Sequence, residues 1–135
     1  MLGNLIAIKK GSQEGRKVML AAHTDEIGLV VTFIDEQGFL RFASVGGVGL
    51  APLVGNRVRF AGGTIGVIYQ EKGAIKDLTM DKLYIDIGAE TKEEAQKMVR
   101  VGEFGIFHRE FSDLGNRLVA KSMDDRIGCV VAIEA

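Results

Sequence analysis

Glycine is the feature of this sequence that most restricts what the chain can fold into. It supplies 18 of the 135 residues, about twice its average share of about 7%, whereas proline occurs once, at Pro52. Glycine adopts the backbone conformations that tight turns require at no steric cost. The sequence therefore predicts many tight turns that join short strands.

Short apolar and β-branched segments, separated by turns, make up most of the chain. The predicted strands cover residues 5–8, 18–22, 27–34, 39–43, 57–60, 64–69, 83–87, 103–107 and 117–121. Between two of them, the segment 35–38 has hairpin-loop chemistry, with Gly38 able to take a positive φ. This spacing predicts a small barrel or sandwich.

Two helices are predicted as well. The segment 91–94 fits a capping box, and apolar residues follow it at helical spacing as far as Val99. A second helix is predicted over residues 124–135, which contain apolar residues at the same spacing and no stop signal at their end. Because the opening residues also lead straight into a predicted strand, we expect the chain to be a piece of a larger polypeptide.

Charge and composition argue against several classes of function. Lys and Arg number 17 against 18 Asp and Glu, a net charge of −1 with no basic stretch, which disfavours a nucleic-acid or anionic-membrane partner. No apolar run is long enough to span a bilayer. A single cysteine, Cys129, and the absence of a signal-peptide pattern predict a reducing, cytoplasmic location.

An imidazole and a carboxylate lie two residues apart after the second predicted strand, at His23 and Asp25. In an extended chain both side chains point to one face. His23 is therefore a candidate metal ligand whose other ring nitrogen is held by a neighbouring carboxylate, and whether Asp25 reaches that nitrogen depends on how the backbone bends after the strand. The alternative is a surface histidine beside a surface aspartate, because this triplet recurs by chance in many proteins.

Adjacent acids form the second candidate, at Asp124 and Asp125 between a predicted strand and a predicted helix. Acids at a helix start can simply accept backbone N–H bonds and favour the helix dipole. A carboxylate at such a junction is also well placed to bridge two divalent metals. Arg126 would then offset part of the acidic charge.

Other residues with reactive side chains have weaker support. His108 is interpreted as a solvent or interface histidine, and Cys129 as a small core residue rather than a nucleophile. Ser122 lacks the setting of a serine hydrolase nucleophile. The glycines form neither a dinucleotide-binding fingerprint nor a phosphate-binding loop, so nucleotide binding is not indicated.

Four segments in order, LGNLIAIKKG, VMLAAHTDEIGLVV, the ID-x-x-G-FLRF hairpin followed by SVGGV, and AKSMDDRIGCVVAIEA, closely resemble the tetrahedral aminopeptidases. This is the glutamyl aminopeptidase family of dinuclear-metal peptidases, some of whose members carry the name endoglucanase or cellulase. The resemblance covers essentially the whole sequence.

The resemblance implies an α/β zinc-peptidase-like catalytic domain, present in part, with an inserted β-barrel domain. Residues 1–30 and 117–135 would belong to the catalytic domain, whereas residues 31–116 would form a barrel used in oligomerisation. It also implies an assembly of several copies that acts on peptides. The strand-rich pattern of the middle segment agrees with such an insert.

The resemblance further implies roles for individual residues. His23 would bind one of two divalent metal ions, zinc or cobalt, Asp25 would orient its imidazole, and Asp124 would bridge the two ions. An adjacent Glu-Glu pair that supplies the general base, a further acidic ligand and a final histidine are expected downstream of the present sequence. Neither His108 nor Glu134 replaces them, so we expect this chain to bind zinc weakly and to be inactive alone.

Two other functions remain alternatives. The chain could serve as a non-catalytic assembly or binding module through its barrel. A glycoside hydrolase would need a separated carboxyl pair beside a sugar groove, and the sequence, which contains no tryptophan, offers no aromatic sugar platform.

Overall fold

The computed structural model describes residues 3–135, in which six strands close into a barrel. The strands are β1 Gly28–Ile34, β2 Leu40–Val45, β3 Arg57–Phe60, β4 Ile65–Gln70, β5 Leu83–Asp86, β6 Phe104–Phe107, β7 Ser112–Asp113 and β8 Leu118–Val119. The helices are α1 Lys92–Met98 and α2 Met123–Glu134, and short 3-10 turns lie at Ala51–Leu53, Ile75–Asp77 and Met80–Lys82.

The barrel is antiparallel throughout, in the order β1-β2-β5-β4-β3-β6. It closes where β6 pairs with both β1 and β3, with Gly28 opposite Ile106 and Val58 opposite Phe107. Every predicted segment between residues 27 and 107 contributes a strand, so the predicted barrel is confirmed. Strands β7 and β8 form a separate hairpin.

Alternate residues of the strands fill the barrel interior. Ile85, fully buried, lies opposite Leu40 on one side and Ile68 on the other. The apolar core comprises Leu29, Val31, Ile34, Leu40, Phe42, Leu53, Val58, Phe60, Ile68, Leu83, Ile85, Ile87, Ala95, Val99 and Phe107. Burial of this continuous apolar surface is the main source of the barrel's stability.

Helix α1 begins as its capping box predicts. The Thr91 hydroxyl accepts a hydrogen bond from the Glu94 backbone N–H at 3.3 Å. The Glu94 carboxylate bonds the backbone N–H of Glu90 at 3.0 Å, one residue before the N-cap of a standard box. Ala95 and Val99 then face inward and join the barrel core.

The structure differs from the prediction outside the barrel. No strand forms over residues 5–8 or 18–22, where the backbone has no regular secondary structure. A strand requires a neighbour to satisfy its backbone groups, and none of the described residues pairs with these segments. The predicted strand 117–121 shrinks to Leu118–Val119, and its partner β7 was not predicted.

Helix α2 forms at the predicted place but packs loosely. Its apolar residues Ile127, Val130 and Val131 are exposed by half or more. Within residues 3–135 we find no helix that is long and apolar enough to cross a membrane.

Candidate metal centre

Two segments on either side of the barrel sequence meet at His23. Its Nδ1 atom lies 3.2 Å from Asp25 Oδ1, and its Nε2 atom lies 3.3 Å from Asp124 Oδ1. The imidazole is thus held between a carboxylate of its own segment and one that begins helix α2. Of the predicted site residues, the structure brings His23, Asp25 and Asp124 together.

The site is open to solvent. The His23 side chain is 55% exposed and that of Asp124 is 95% exposed. Desolvation lowers the pKa of His23, but a hydrogen bond with the Asp25 backbone and the negative charges of Asp25, Asp124 and Asp125 raise it more, so the net shift is upward. The surrounding carboxylates therefore favour a cation at the imidazole, whether a proton or a metal ion.

The backbone is irregular at the start of helix α2. Ser122 adopts a left-handed conformation, with φ 60° and ψ 18°, and Asp124 and Asp125 have non-helical dihedral angles on either side of a cis peptide bond. The Asp125 carboxylate accepts the Gly128 backbone N–H at 3.2 Å. Asp125 therefore caps the helix, which leaves Asp124 as the acid that reaches His23.

A second set of polar contacts joins the same two segments. The Glu26 carboxylate accepts hydrogen bonds from Lys121 Nζ at 2.7 Å and from Ser122 Oγ at 2.6 Å. Arg126 Nε donates to the Thr24 carbonyl oxygen at 3.1 Å. Burial raises the pKa of Glu26, but the hydrogen bonds from Lys121 and Ser122 and the positive charges of Lys121 and Arg126 lower it more, so the net shift is downward.

The arrangement at His23 fits part of a divalent metal site. An imidazole nitrogen and a carboxylate oxygen are donors that zinc and similar ions accept in proteins. A carboxylate on the other ring nitrogen is the usual support of a ligating histidine. Among residues 3–135 no group of three or more such donors gathers at one point, whereas a zinc site takes at least three protein ligands.

The remaining candidates lie elsewhere or have other contacts. His108 is half-buried after strand β6, where its backbone N–H bonds the Arg57 carbonyl oxygen. Cys129 is half-buried outside the barrel core, with its Sγ atom 3.4 Å from the His23 carbonyl oxygen; its predicted place in a core is therefore wrong. Cys129 is one point at which helix α2 contacts the His23 segment. Glu134 is exposed.

The sequence patterns did not predict a role for Glu26 or Lys121. Glu26 follows Asp25 directly and could be taken for one more surface acid, while Lys121 ends a predicted strand far away in the chain. No local spacing links them, because their pairing depends on the barrel that returns the second segment to the first. The signal available was the adjacent pair of acids, of which Asp25 contacts His23 and Glu26 is ion-paired with Lys121.

Comparisons with known proteins agree with this architecture. An aminopeptidase from the archaeon Desulfurococcus kamchatkensis has a similar solved structure, with a TM-score of 0.77 and 41% identity over 93% of this chain and 37% of that one. The TET peptidase of Pyrococcus horikoshii, which can assemble into a tetrahedron or a large octahedral shell, matches with a TM-score of 0.71 and 38% identity over 84% of this chain and 37% of that one. The fold therefore resembles about a third of each of these aminopeptidase structures.

The sequence comparison narrows this class to a family. The family model for M42 glutamyl aminopeptidases matches residues 3–135, and the chain belongs to that family. A candidate aminopeptidase of Acetivibrio thermocellus is 48% identical over 136 residues, which are 99% of this chain and 41% of that protein. The chain thus spans about two fifths of the length of such relatives.

Proposed function

We propose that this chain carries part of the dinuclear metal centre of an M42 aminopeptidase, which releases N-terminal residues from peptides. The observation that supports this most directly is the contact of His23 with both Asp25 and Asp124. Membership of a metal-dependent peptidase family favours peptide hydrolysis over a purely structural module or a glycoside hydrolase.

Each residue at the site has a defined role in this proposal. His23, through Nε2, and Asp124, through its carboxylate, would hold divalent ions, zinc or cobalt, with Asp124 shared between two of them. Asp25, whose Oδ1 atom lies 3.2 Å from Nδ1, would accept the Nδ1 proton and so keep Nε2 free to bind a cation. The chemistry that such ions supply is polarisation of the scissile carbonyl and activation of water near neutral pH.

We infer that the described residues are not sufficient for catalysis. Two converging donors leave each metal short of ligands, and none of the carboxylates near His23 is left to act as a general base. Asp25 and Asp124 hold the imidazole or the ions, Asp125 caps helix α2, and Glu26 is ion-paired. The remaining ligands and the base would come from polypeptide outside these residues, and this chain alone would be inactive.

The domain organisation follows the same proposal. Residues 1–30 and 117–135 would belong to the catalytic domain, with the barrel segment, residues 31–116, inserted between them. The apolar side chains of Leu5, Ile6 and Ile8 are almost fully exposed, as expected for segments that the rest of a catalytic domain would cover. On the barrel, exposed Phe104 and Ile106 offer an apolar face for contact with other copies.

Metal binding by the purified chain tests this proposal. We expect isothermal titration with Co²⁺ to show weak binding that His23→Ala abolishes. The matched control is His108→Ala, which removes the chain's other histidine and leaves the site intact. Tight stoichiometric binding would contradict the proposed incompleteness of the site, and binding that His23→Ala does not change would overturn the proposed metal centre.

Hydrolysis tests the inactivity of the chain alone. A panel of aminoacyl chromogenic substrates is incubated with the chain and added zinc or cobalt, with a chelator and His23→Ala as controls. We expect no turnover across the panel. Turnover that disappears in both controls would show that the chain completes its own active site and would contradict the proposed incompleteness.

A further inference from the structure

The contacts of Glu26 have no role in the chemistry proposed above. The Glu26 side chain is only 15% exposed, whereas the Asp124 side chain is 95% exposed. Its two carboxylate oxygens are occupied by Lys121 and Ser122. A carboxylate enclosed in this way joins two segments of the chain and is not available to substrate or metal.

We propose that Glu26 is a positioning residue that sets the Asp124 carboxylate against Nε2 of His23. The inference rests on the proposed function, because it concerns how the two ligands of that centre are brought together. Glu26 follows His23 closely in one segment, and its partners Lys121 and Ser122 precede Asp124 closely in the other. The hydrogen bonds of Glu26 therefore fix the distance between the two ligands.

The conformation of Ser122 shows why such an anchor is needed. Among residues 3–135 it is the only residue other than glycine with a positive φ, a conformation that costs free energy for an L-amino acid. Its hydroxyl donates to Glu26 Oε2 at 2.6 Å. This bond supports the left-handed turn, and the direction of the turn decides where Asp124 points.

Arg126, which follows Asp124 in the sequence, also contacts the segment that contains Glu26. The Arg126 side chain bonds the Thr24 carbonyl oxygen at 3.1 Å, and one of its terminal nitrogens lies 3.9 Å from Glu26 Oε1. Asp124 is therefore bracketed by residues that bind the segment from Thr24 to Glu26. A glutamine at position 26 could not replace the carboxylate in full. Lys121 Nζ lies within 3.0 Å of both Glu26 oxygens, so in either orientation the glutamine amide nitrogen would face an ammonium group that can only donate.

Nuclear magnetic resonance of the metal-free chain tests the positioning directly. The two ring nitrogens of His23 report separately on Asp25 and Asp124, so ¹⁵N spectra are compared at one pH at which the ring is protonated in every variant. In Glu26→Gln we expect the Nε2 resonance to move to its position in Asp124→Asn. The Nδ1 resonance should stay in place, because Asp25 belongs to the same segment as His23.

Metal affinity provides the second readout. Loss of a direct partner of a metal ligand typically weakens metal binding by about 10–100-fold. Glu26 bonds residues beside Asp124 and not a ligand itself, so we expect Glu26→Gln to weaken Co²⁺ binding by about tenfold, the lower end of that range. The matched control is Glu71→Gln, which removes an ion pair with Arg41 of 2.8 Å on the barrel. This variant should change neither the Co²⁺ affinity nor the His23 resonances.

The outcomes separate this inference from the proposed function. An Nε2 resonance that stays at its wild-type position in Glu26→Gln would overturn the positioning role. If the unaltered chain shows no Co²⁺ binding that depends on His23, the metal centre is wrong, and the metal-free spectra still decide the role of Glu26. Should Glu26→Gln fail to fold, Ser122→Ala removes one of the same bonds and should shift Nε2 in the same direction.

Discussion

At the scale of single residues, Gly105 shows how tightly the barrel interior is filled. A β-carbon at this buried position would overlap the Val58 side chain and would lie 3.0 Å from Cε1 of Phe60. Overfilling a packed core typically costs about 1–3 kcal/mol. We expect Gly105→Ala to lower the free energy of unfolding by about that amount, measured by urea denaturation.

The control for this substitution is Gly73→Ala. A β-carbon at Gly73 meets no atom within 4 Å, and the residue does not need a positive φ. Alanine lowers the conformational entropy of the unfolded chain, so the free energy of unfolding should stay the same or rise by less than about 1 kcal/mol. Equal losses of stability in both variants would contradict the packing explanation.

The candidate site was predictable only where its residues are close in the sequence. The spacing of His23 and Asp25 places both on one face of an extended chain, and the structure joins them. The contact between His23 and Asp124 could be expected only from the resemblance to a family, because a whole barrel separates them in the sequence. Neither the spacing nor the resemblance predicted the pairing of Glu26 with Lys121.

At the scale of elements, removal of the N-terminal cap of helix α1 should lower the stability of the protein. Thr91→Ala removes the side-chain acceptor of the Glu94 backbone N–H, a change that typically costs about 1 kcal/mol. Thermal or urea unfolding should show this loss, and Thr91→Ser, which keeps the acceptor, should recover most of it. A stability of Thr91→Ala equal to that of the unaltered chain would show that water replaces the cap.

The contact between the His23 segment and the start of helix α2 should depend on pH. The pKa of Glu26 is below its ordinary value of 4.5: burial raises it, but hydrogen bonds from Lys121 and Ser122 and nearby positive charges lower it more. Its contribution to stability is therefore complete above about pH 4.5 and is lost as the pH falls through the lower folded value.

Hydrogen exchange can follow this loss at the backbone N–H of Arg126, which bonds the Ser122 carbonyl oxygen at 3.3 Å. We expect its protection factor to fall as the pH drops below about 4.5. Glu26→Gln should have lower protection at neutral pH and little further change below about pH 4.5. An unchanged pH dependence in this variant would show that another group controls the contact.

Strands were predictable where each one finds its partner within the barrel. Strand β3 forms at the predicted residues, and the strand containing Ile85 forms because two neighbours flank it. The segments 5–8 and 18–22 have equally good strand patterns, yet they remain irregular. Sequence pattern measures the tendency to be extended, whereas a strand also needs a second chain segment to bond.

At the scale of the whole molecule, a packed barrel is joined to segments whose apolar residues face solvent. Leu5 is 95% exposed, and Ile6, Ile8, Val18 and Met19 are nearly as open. Their backbone groups also lack strand partners among the described residues. Exposed apolar segments with unpaired backbone groups pair readily with other chains. The barrel face around Phe104 has apolar side chains too, but its backbone is already paired.

We therefore expect the purified chain to self-associate through residues 5–8 more strongly than through the barrel. Sedimentation velocity over a range of concentrations should show association that Ile6→Pro weakens, because proline removes a backbone donor and disrupts strand pairing. Phe104→Ser, the matched change on the barrel, should have a smaller effect. If Phe104→Ser abolishes association and Ile6→Pro does not, the barrel face is the interface, and the exposed segments are then solvated rather than paired.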